Sequence, residues 1–104
     1  MDKNIAIIGG GAAGFFCAAQ LAEKFKPNQI TIFERADNVL QKVKISGGGR
    51  CNVTHASTEP KELVKSYPRG TKELLGPFYT FDTQSTIEWF EKNGVPLKTE
   101  ADGR

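Results

Sequence analysis

Cysteine, histidine and tryptophan are scarce in this 104-residue chain, and so is any excess of charge of one sign. The two cysteines, Cys17 and Cys51, form no Cys-x-x-Cys pair and are too few for a framework of bridges. They read as reduced thiols in a reducing compartment. His55 is the single histidine, which leaves no metal site with ordinary ligand spacing and no histidine-centred triad to argue for. A net charge of +2 gives no argument for nucleic acid as a partner. The one long apolar stretch, Ile5 to Ala22, is interrupted by three adjacent glycines and preceded only by Lys3 beside Asp2. It reads as strand plus helix rather than as a targeting segment or a spanning helix. No membrane partner is expected, and the expected compartment is the cytoplasm. Internal repeats and low-complexity segments are also missing.

What remains is the composition of an ordinary globular domain, 38% apolar and 25% charged, with room for one small domain. Asn4-Ile5-Ala6-Ile7-Ile8 is a short strand-like run leading into Gly9-Gly10-Gly11-Ala12-Ala13-Gly14, which fits Gly-x-Gly-x-x-Gly. From Ala12 to about Lys26, the residues Gly14, Cys17, Ala18, Leu21 and Phe25 recur at helical steps and predict a helix packed on a sheet, with Cys17 as a small core residue. Pro27-Asn28 ends that helix. Gln29-Ile30-Thr31-Ile32-Phe33 then reads as a strand parallel to the first, and Glu34 follows it directly. A right-handed crossover brings both strand ends to one edge, so Gly9 and Glu34 meet at one ligand.

Strand, glycine turn, helix, strand and terminal acid, in that order, are the parts of a dinucleotide-binding βαβ unit. Gly9 allows the tight turn, Gly11 lets backbone amides approach a pyrophosphate, and Gly14 lets the helix lie close to the sheet. A carboxylate at Glu34 accepts the hydroxyls of an adenosine ribose and repels a phosphate there.

Beyond Arg35, Val39–Ile45 reads as either a short helix or an extended loop, and Ser46-Gly47-Gly48-Gly49-Arg50-Cys51-Asn52 forms a second glycine-rich turn. Between Asp37 and Glu59 there is no acid, while Lys42, Lys44 and Arg50 are positive, which suits an anion. Short helices are predicted near Lys61–Tyr67 and Thr71–Leu75, broken by Pro68-Arg69-Gly70 and by Gly76-Pro77. Asp82 caps a further helix that runs through Ile87 and Phe90 and stops at Gly94, with Trp89 and Phe90 as packing aromatics. Val95–Glu100 followed by Asp102-Gly103 has the form of a strand entering a hairpin whose return begins at Arg104. The chain therefore reads as the N-terminal piece of a longer protein. Its first part, residues 1–57, holds the βαβ unit and second glycine loop. Its second, residues 58–104, is a helical segment and the start of a hairpin.

Together, Ile7-Ile8-Gly9-Gly10-Gly11-Ala12-Ala13-Gly14 and Lys44-Ile45-Ser46-Gly47-Gly48-Gly49-Arg50-Cys51-Asn52-Val53-Thr54 resemble bacterial flavoproteins of the aminoacetone-oxidase-like or bile-acid-reductase-like NAD(P)/FAD-dependent family, within the glutathione-reductase-like FAD superfamily. The resemblance covers essentially the whole chain, and Ser-Gly-Gly-Gly-Arg-Cys-Asn is its most specific part. It implies an α/β, Rossmann-like FAD-binding unit with parallel strands, cut before the rest of the FAD domain and an inserted substrate domain. It also implies FAD as cofactor. Gly9, Gly11, Ala12, Ala13 and Gly14 would hold the pyrophosphate, Glu34 the ribose, and Arg35 would lie beside the adenosine. Lys42 and the loop of Ser46, Gly47, Gly48, Gly49, Arg50, Cys51 and Asn52 would pass along pyrophosphate and flavin.

No catalytic side chain is nominated, because the flavin ring carries its own chemistry. Cys51 beside Arg50 suggests a lowered thiol pKa, yet it has no resolving partner nearby and reads as packing or backbone contact. The whole protein would take electrons from NAD(P)H and pass them to a small organic substrate or oxygen. The chain alone is expected to be inactive and to self-associate. Two other readings stand beside this one: an NAD-binding dehydrogenase, which leaves Ser46–Asn52 unexplained, and a non-redox or tRNA-modifying flavoprotein.

Overall fold

The computed structural model describes residues 3–48, 52–56 and 59–104. Its contacts divide the chain into two compact units, Met1–Asn52 and Val53–Arg104.

The first unit is α/β. Strand β1 (Ile5–Ile8) and strand β2 (Ile30–Phe33) pair in parallel, with Ile5 opposite Ile30 and Ile8 opposite Phe33. Helix α1 (Ala12–Leu21) joins them as the crossover and packs on both. Side chains alternate along each strand. Ile5, Ile7, Ile30 and Ile32 are half-buried, while Ile8 and Phe33 are 83% and 55% exposed at the strand ends. The β-branched residues thus do two tasks, favouring extended backbone and supplying the apolar face that α1 covers. Gln29, closing a short 3-10 turn over Pro27–Gln29, donates its side-chain amide to Lys3 O at 2.9 Å and so ties the entry of β2 to the residues before β1.

Helix α1 is shorter than its apolar periodicity predicts. It ends at Leu21 rather than near Lys26, because after Ala22 N to Ala18 O the four-residue ladder breaks: Glu23 N and Lys24 N bond only three residues back, to Gln20 O at 3.4 Å and Leu21 O at 2.9 Å, before one last four-residue bond from Phe25 N to Leu21 O. Gly14, Ala18, Leu21 and Phe25 form a half-buried stripe, but Cys17 is exposed, which corrects its expected place in the core. A three-residue step falls on the opposite side of Gly14 from a four-residue step, and the four-residue side is the one that meets the sheet.

The segment after β2 forms a one-turn helix, α2 (Gln41–Ile45), leading straight into a 3-10 turn at Ser46–Gly48. This settles the helix-or-loop alternative for Val39–Ile45 in favour of helix over most of its length.

The second unit is helical. Helix α3 (Pro60–Leu63) continues as a 3-10 turn over Val64–Ser66. Helix α4 (Thr71–Thr80) and helix α5 (Thr83–Lys92) follow. Leu63, Val64 and Thr83 are buried, and the rings of Tyr67 and Phe78 meet at a tilt of 51° with centroids 5.5 Å apart. Contrary to the expected break at Gly76-Pro77, α4 runs through both. Both residues are exposed, as is Glu73, so the Glu73 carbonyl that the proline leaves without its donor is open to water. Asp82 caps α5, accepting from Ser85 N at 2.9 Å and Ser85 Oγ at 3.0 Å, which lowers its pKa. The same helix ends in a Schellman motif, with Gly94 at φ +84°, Val95 N on Phe90 O and Gly94 N on Glu91 O.

The expected strand over Val95–Glu100 does not form. The backbone there is irregular and closes in a tight turn, Gly103 N donating to Glu100 O at 3.0 Å. Arg104 pairs with Asp102 at 2.7 Å beside it. Among the described residues, no helix is long and apolar enough to cross a membrane.

Candidate dinucleotide site

The turn between β1 and α1 is built from backbone. Gly9 N extends the parallel ladder by donating to Phe33 O at 2.7 Å, and Gly9 then takes φ +106°, a conformation open to glycine alone at little cost. Gly10 follows and is buried. Gly11 is the N-cap of α1 and accepts from Phe15 N at 3.1 Å without any side-chain cap. The first-turn amides of α1 therefore face away from the helix without intrahelical partners, at the positive end of its dipole.

The motif glycines sit in different surroundings. A Cβ on Gly14 would stand 2.0 Å from Gly9 O, so helix and turn touch there backbone to backbone. A Cβ on Gly11 would meet nothing within 4 Å, so the open space beside it is accessible to a ligand. Ala12 and Ala13 continue the exposed start of the helix.

Glu34, at the end of β2, reaches back to this turn. Its Oε1 accepts from Gly10 N at 3.0 Å and its Oε2 from Ala36 N at 2.6 Å. These bonds hold the carboxyl below its usual value, the Ala36 amide first and the Gly10 amide next, with the Arg35 charge adding to them. The carboxylate is exposed and ionised, and its oxygens keep further lone pairs for hydroxyl donors. Arg35 is exposed beside it.

Gly10 is a residue that reasoning from the motif passed over, since it fills a variable position. Its amide is held by Glu34, its carbonyl accepts from Leu40 N at 2.8 Å, and Val39 Cγ1 lies 3.0 Å from where its Cβ would stand. A third consecutive glycine in a motif that asks for only two nearby was the available signal. Leu40 takes φ 57° and ψ 30°, at a cost of about 1–2 kcal/mol for a residue with a side chain, and nothing in its identity announces this.

The second glycine turn is reached through α2, where Lys42 and Lys44 are exposed. Ser46 Oγ donates to Val43 O at 2.8 Å, so the hydroxyl ends the helix. Gly47 and Gly48 both have positive φ, +67° and +64°. Asn52 packs on Gly47, its Cβ 3.0 Å from where a Gly47 Cβ would be, whereas the space beside Gly48 is open. Gly49, Arg50 and Cys51 lie outside the described residues. The structure thus links Gly10 directly with Glu34 and Gly9 with Phe33 just before it, joins Gly47 with Asn52, and connects the two turns through Leu40 and α2.

Comparison with known proteins agrees with this geometry. A family model described as the HI0933-like protein Rossmann domain matches residues 3–104. The chain is 38% identical over 86 residues to a ribosomal RNA dihydrouridine synthase of Haemophilus influenzae, covering 83% of this chain and 21% of that protein. It is 33% identical over 91 residues to the Escherichia coli protein of the same name, covering 83% and 22%. With a 3-dehydro-bile acid delta(4,6)-reductase of Clostridium scindens it shares 30% over 97 residues, covering 93% and 23%. The chain spans about a fifth of the length of these curated relatives. With its parallel βαβ unit and its matched span from residue 3 to residue 104, the chain belongs to the HI0933-like Rossmann-domain family.

Proposed function

We propose that this chain is the FAD-binding beginning of a flavin-dependent oxidoreductase. The observation that carries the reading is the pairing at the first turn: an open approach to backbone amides at Gly11, and an ionised Glu34 fixed on Gly10 one residue away. Amides at a helix N-terminus suit a pyrophosphate. An anchored carboxylate suits the two hydroxyls of a ribose and disfavours a 2′-phosphate. Ala12, Ala13 and Gly14 would complete the pyrophosphate cradle. Arg35 would flank the adenosine, and Lys42 with Ser46–Asn52 would lie along pyrophosphate and flavin. When bound, the flavin supplies hydride chemistry, and the residues of this chain bind and orient it.

The names of the relatives narrow the substrate class. Making dihydrouridine from uridine and reducing a delta(4,6) 3-dehydro bile acid both saturate a carbon–carbon double bond conjugated to a carbonyl. The whole protein is therefore proposed to reduce such a bond, with NAD(P)H as electron source. The two ribosomal RNA dihydrouridine synthases, at 38% and 33% identity, favour a base in RNA over a small molecule as one substrate, against the expectation of no nucleic-acid partner.

Titrating FAD and NAD separately tests the cofactor. Tighter FAD binding supports the reading, and tighter NAD binding replaces it with the dehydrogenase alternative. Gly11→Ala is the sharper probe. With open space around it and φ −94°, it meets no clash and loses only the glycine N-cap preference, about 0.5–1 kcal/mol, but its methyl group occupies the approach to the amides and weakens FAD by about tenfold or more. Unchanged FAD affinity in that variant would refute the pyrophosphate assignment.

A further inference from the structure

The two glycine turns are joined by one strained residue. Leu40 is the single non-glycine residue with positive φ among the described residues. Its amide is locked on Gly10 O at 2.8 Å, and its carbonyl accepts from Lys44 N at 3.0 Å, which starts α2. Helix α2 is one turn long and passes directly into Ser46–Gly48. Val39, next to Leu40, fills the space beside Gly10, and Gly10 is itself buried and held by Glu34. Strain of this kind persists only where neighbouring structure over-determines it. Here the neighbour is the first glycine turn.

We propose that Leu40 is the positioning residue that delivers the second glycine turn to the dinucleotide: its left-handed backbone, fixed on the Gly10 carbonyl, sets the direction of α2 and hence the place of Ser46–Gly48. The ligand half of this statement rests on the cofactor reading above. The mechanical half does not. Three substitutions separate backbone preference from side-chain packing. Leu40→Gly keeps the amide and favours the conformation. Leu40→Ile keeps the amide and the apolar bulk, but its β-branch opposes a positive φ. Leu40→Pro removes the amide and holds φ near −65°.

Amide hydrogen exchange on the chain, with FAD and ADP titrated as separate probes, tests the proposal. Exchange at Lys44 and Ser46–Gly48 is expected to rise about tenfold in Leu40→Pro, less in Leu40→Ile, and not at all in Leu40→Gly. The amides of β1 and β2 are expected to keep their protection. Leu40→Ile should weaken FAD severalfold and ADP by clearly less, because of the two groups assigned to Ser46–Asn52, pyrophosphate and flavin, ADP carries only the first. Should Leu40→Pro fail to fold, the Leu40→Ile and Leu40→Gly pair decides. Equal exchange of those two variants at Ser46–Gly48, or loosening of the strands to the same degree as the turn, overturns the proposal. A chain that follows the expected exchange order yet binds neither FAD nor ADP keeps the positioning role and removes the cofactor reading instead.

Discussion

The first glycine turn is held from several directions, whereas the second, over its described residues, is held where it leaves α2 and where Asn52 packs on it. Gly9 is hydrogen-bonded to the neighbouring strand, Gly10 to Glu34 and Leu40, and Gly14 touches Gly9 O through space that a methyl would need. At the second turn, Ser46 closes on Val43 and Gly47 abuts Asn52, while Gly48 stands beside open space. Glycine is therefore doing different things in the two places. In the first turn Gly10 and Gly14 sit where a methyl would crowd its neighbours and only Gly9 takes a positive φ, whereas in the second Gly47 and Gly48 both take left-handed conformations and Gly48 has open space beside it. Substitution by alanine separates the two effects, because alanine adds a crowded carbon at Gly10 or Gly14 and backbone strain alone at Gly48.

The largest effect is expected at Gly14. Its Cβ would stand 2.0 Å from a backbone oxygen that no rotamer change can move away, so Gly14→Ala should cost roughly 3 kcal/mol or more, beyond the usual range for overpacking. Thermal unfolding followed by circular dichroism checks it. A melting temperature within a degree or two of the parent would show that α1 can slide along the sheet and that the contact is not rigid. Next comes Gly48→Ala, expected to cost about 1–2 kcal/mol through its φ of +64° alone, with no clash. Gly48→Asn should recover part of that, since asparagine tolerates this region better. If the two variants melt together, the turn is not held in the left-handed conformation.

Gly10→Ala is expected to be milder than Gly14→Ala, about 1 kcal/mol, although both sit in the first turn. The atoms its Cβ would press are side-chain atoms, Val39 Cγ1 at 3.0 Å and Glu34 Cβ at 3.2 Å, and side chains can give way. Combining it with Val39→Ala should restore part of the loss. Strict additivity in the double mutant would show that Val39 is not the obstacle.

The same contrast explains what could be read from the sequence. The βαβ unit was legible because its parts are local: β-branched runs for strands, a glycine pattern for the turn, an acid just after the second strand. The caps of α5 were legible for the same reason, since Asp82 and Gly94 act on residues next to them. The end of α1 was not legible, because the apolar stripe continues to Phe25 across the break in the four-residue ladder at Glu23 and Lys24. The passage of α4 through Gly76-Pro77 was hidden as well, since it runs against local preference and leaves the Glu73 carbonyl to water. Within the site, the position of Glu34 after the second strand marks it as a candidate ribose ligand, but its grip on Gly10 is not legible, and neither is the positive φ of Leu40. Both depend on a meeting of residues more than twenty positions apart that no pattern in the chain encodes.

The smallest predicted effect concerns that grip and depends on pH. The Glu34 carboxyl is lowered from its ordinary value of 4.5, chiefly by the Ala36 amide and then by that of Gly10. A depressed carboxyl stabilises the fold fully above its ordinary value, and the stabilisation fades as pH falls through the folded value. In Glu34→Gln, the amide keeps one acceptor but turns an NH2 group toward either Gly10 N or Ala36 N, so one of the two bonds is lost at every pH. The parent should therefore melt slightly higher than the variant at neutral pH. Below about pH 4.5 the parent should lose stability faster than the variant, and the two curves should draw together. Parallel melting curves from neutral pH down to about pH 3 would mean that the carboxylate does not brace the first turn. Glu34 would then act on a bound ribose alone, and the contrast between a braced first turn and a freer second one would rest on Gly9, Gly14 and Leu40.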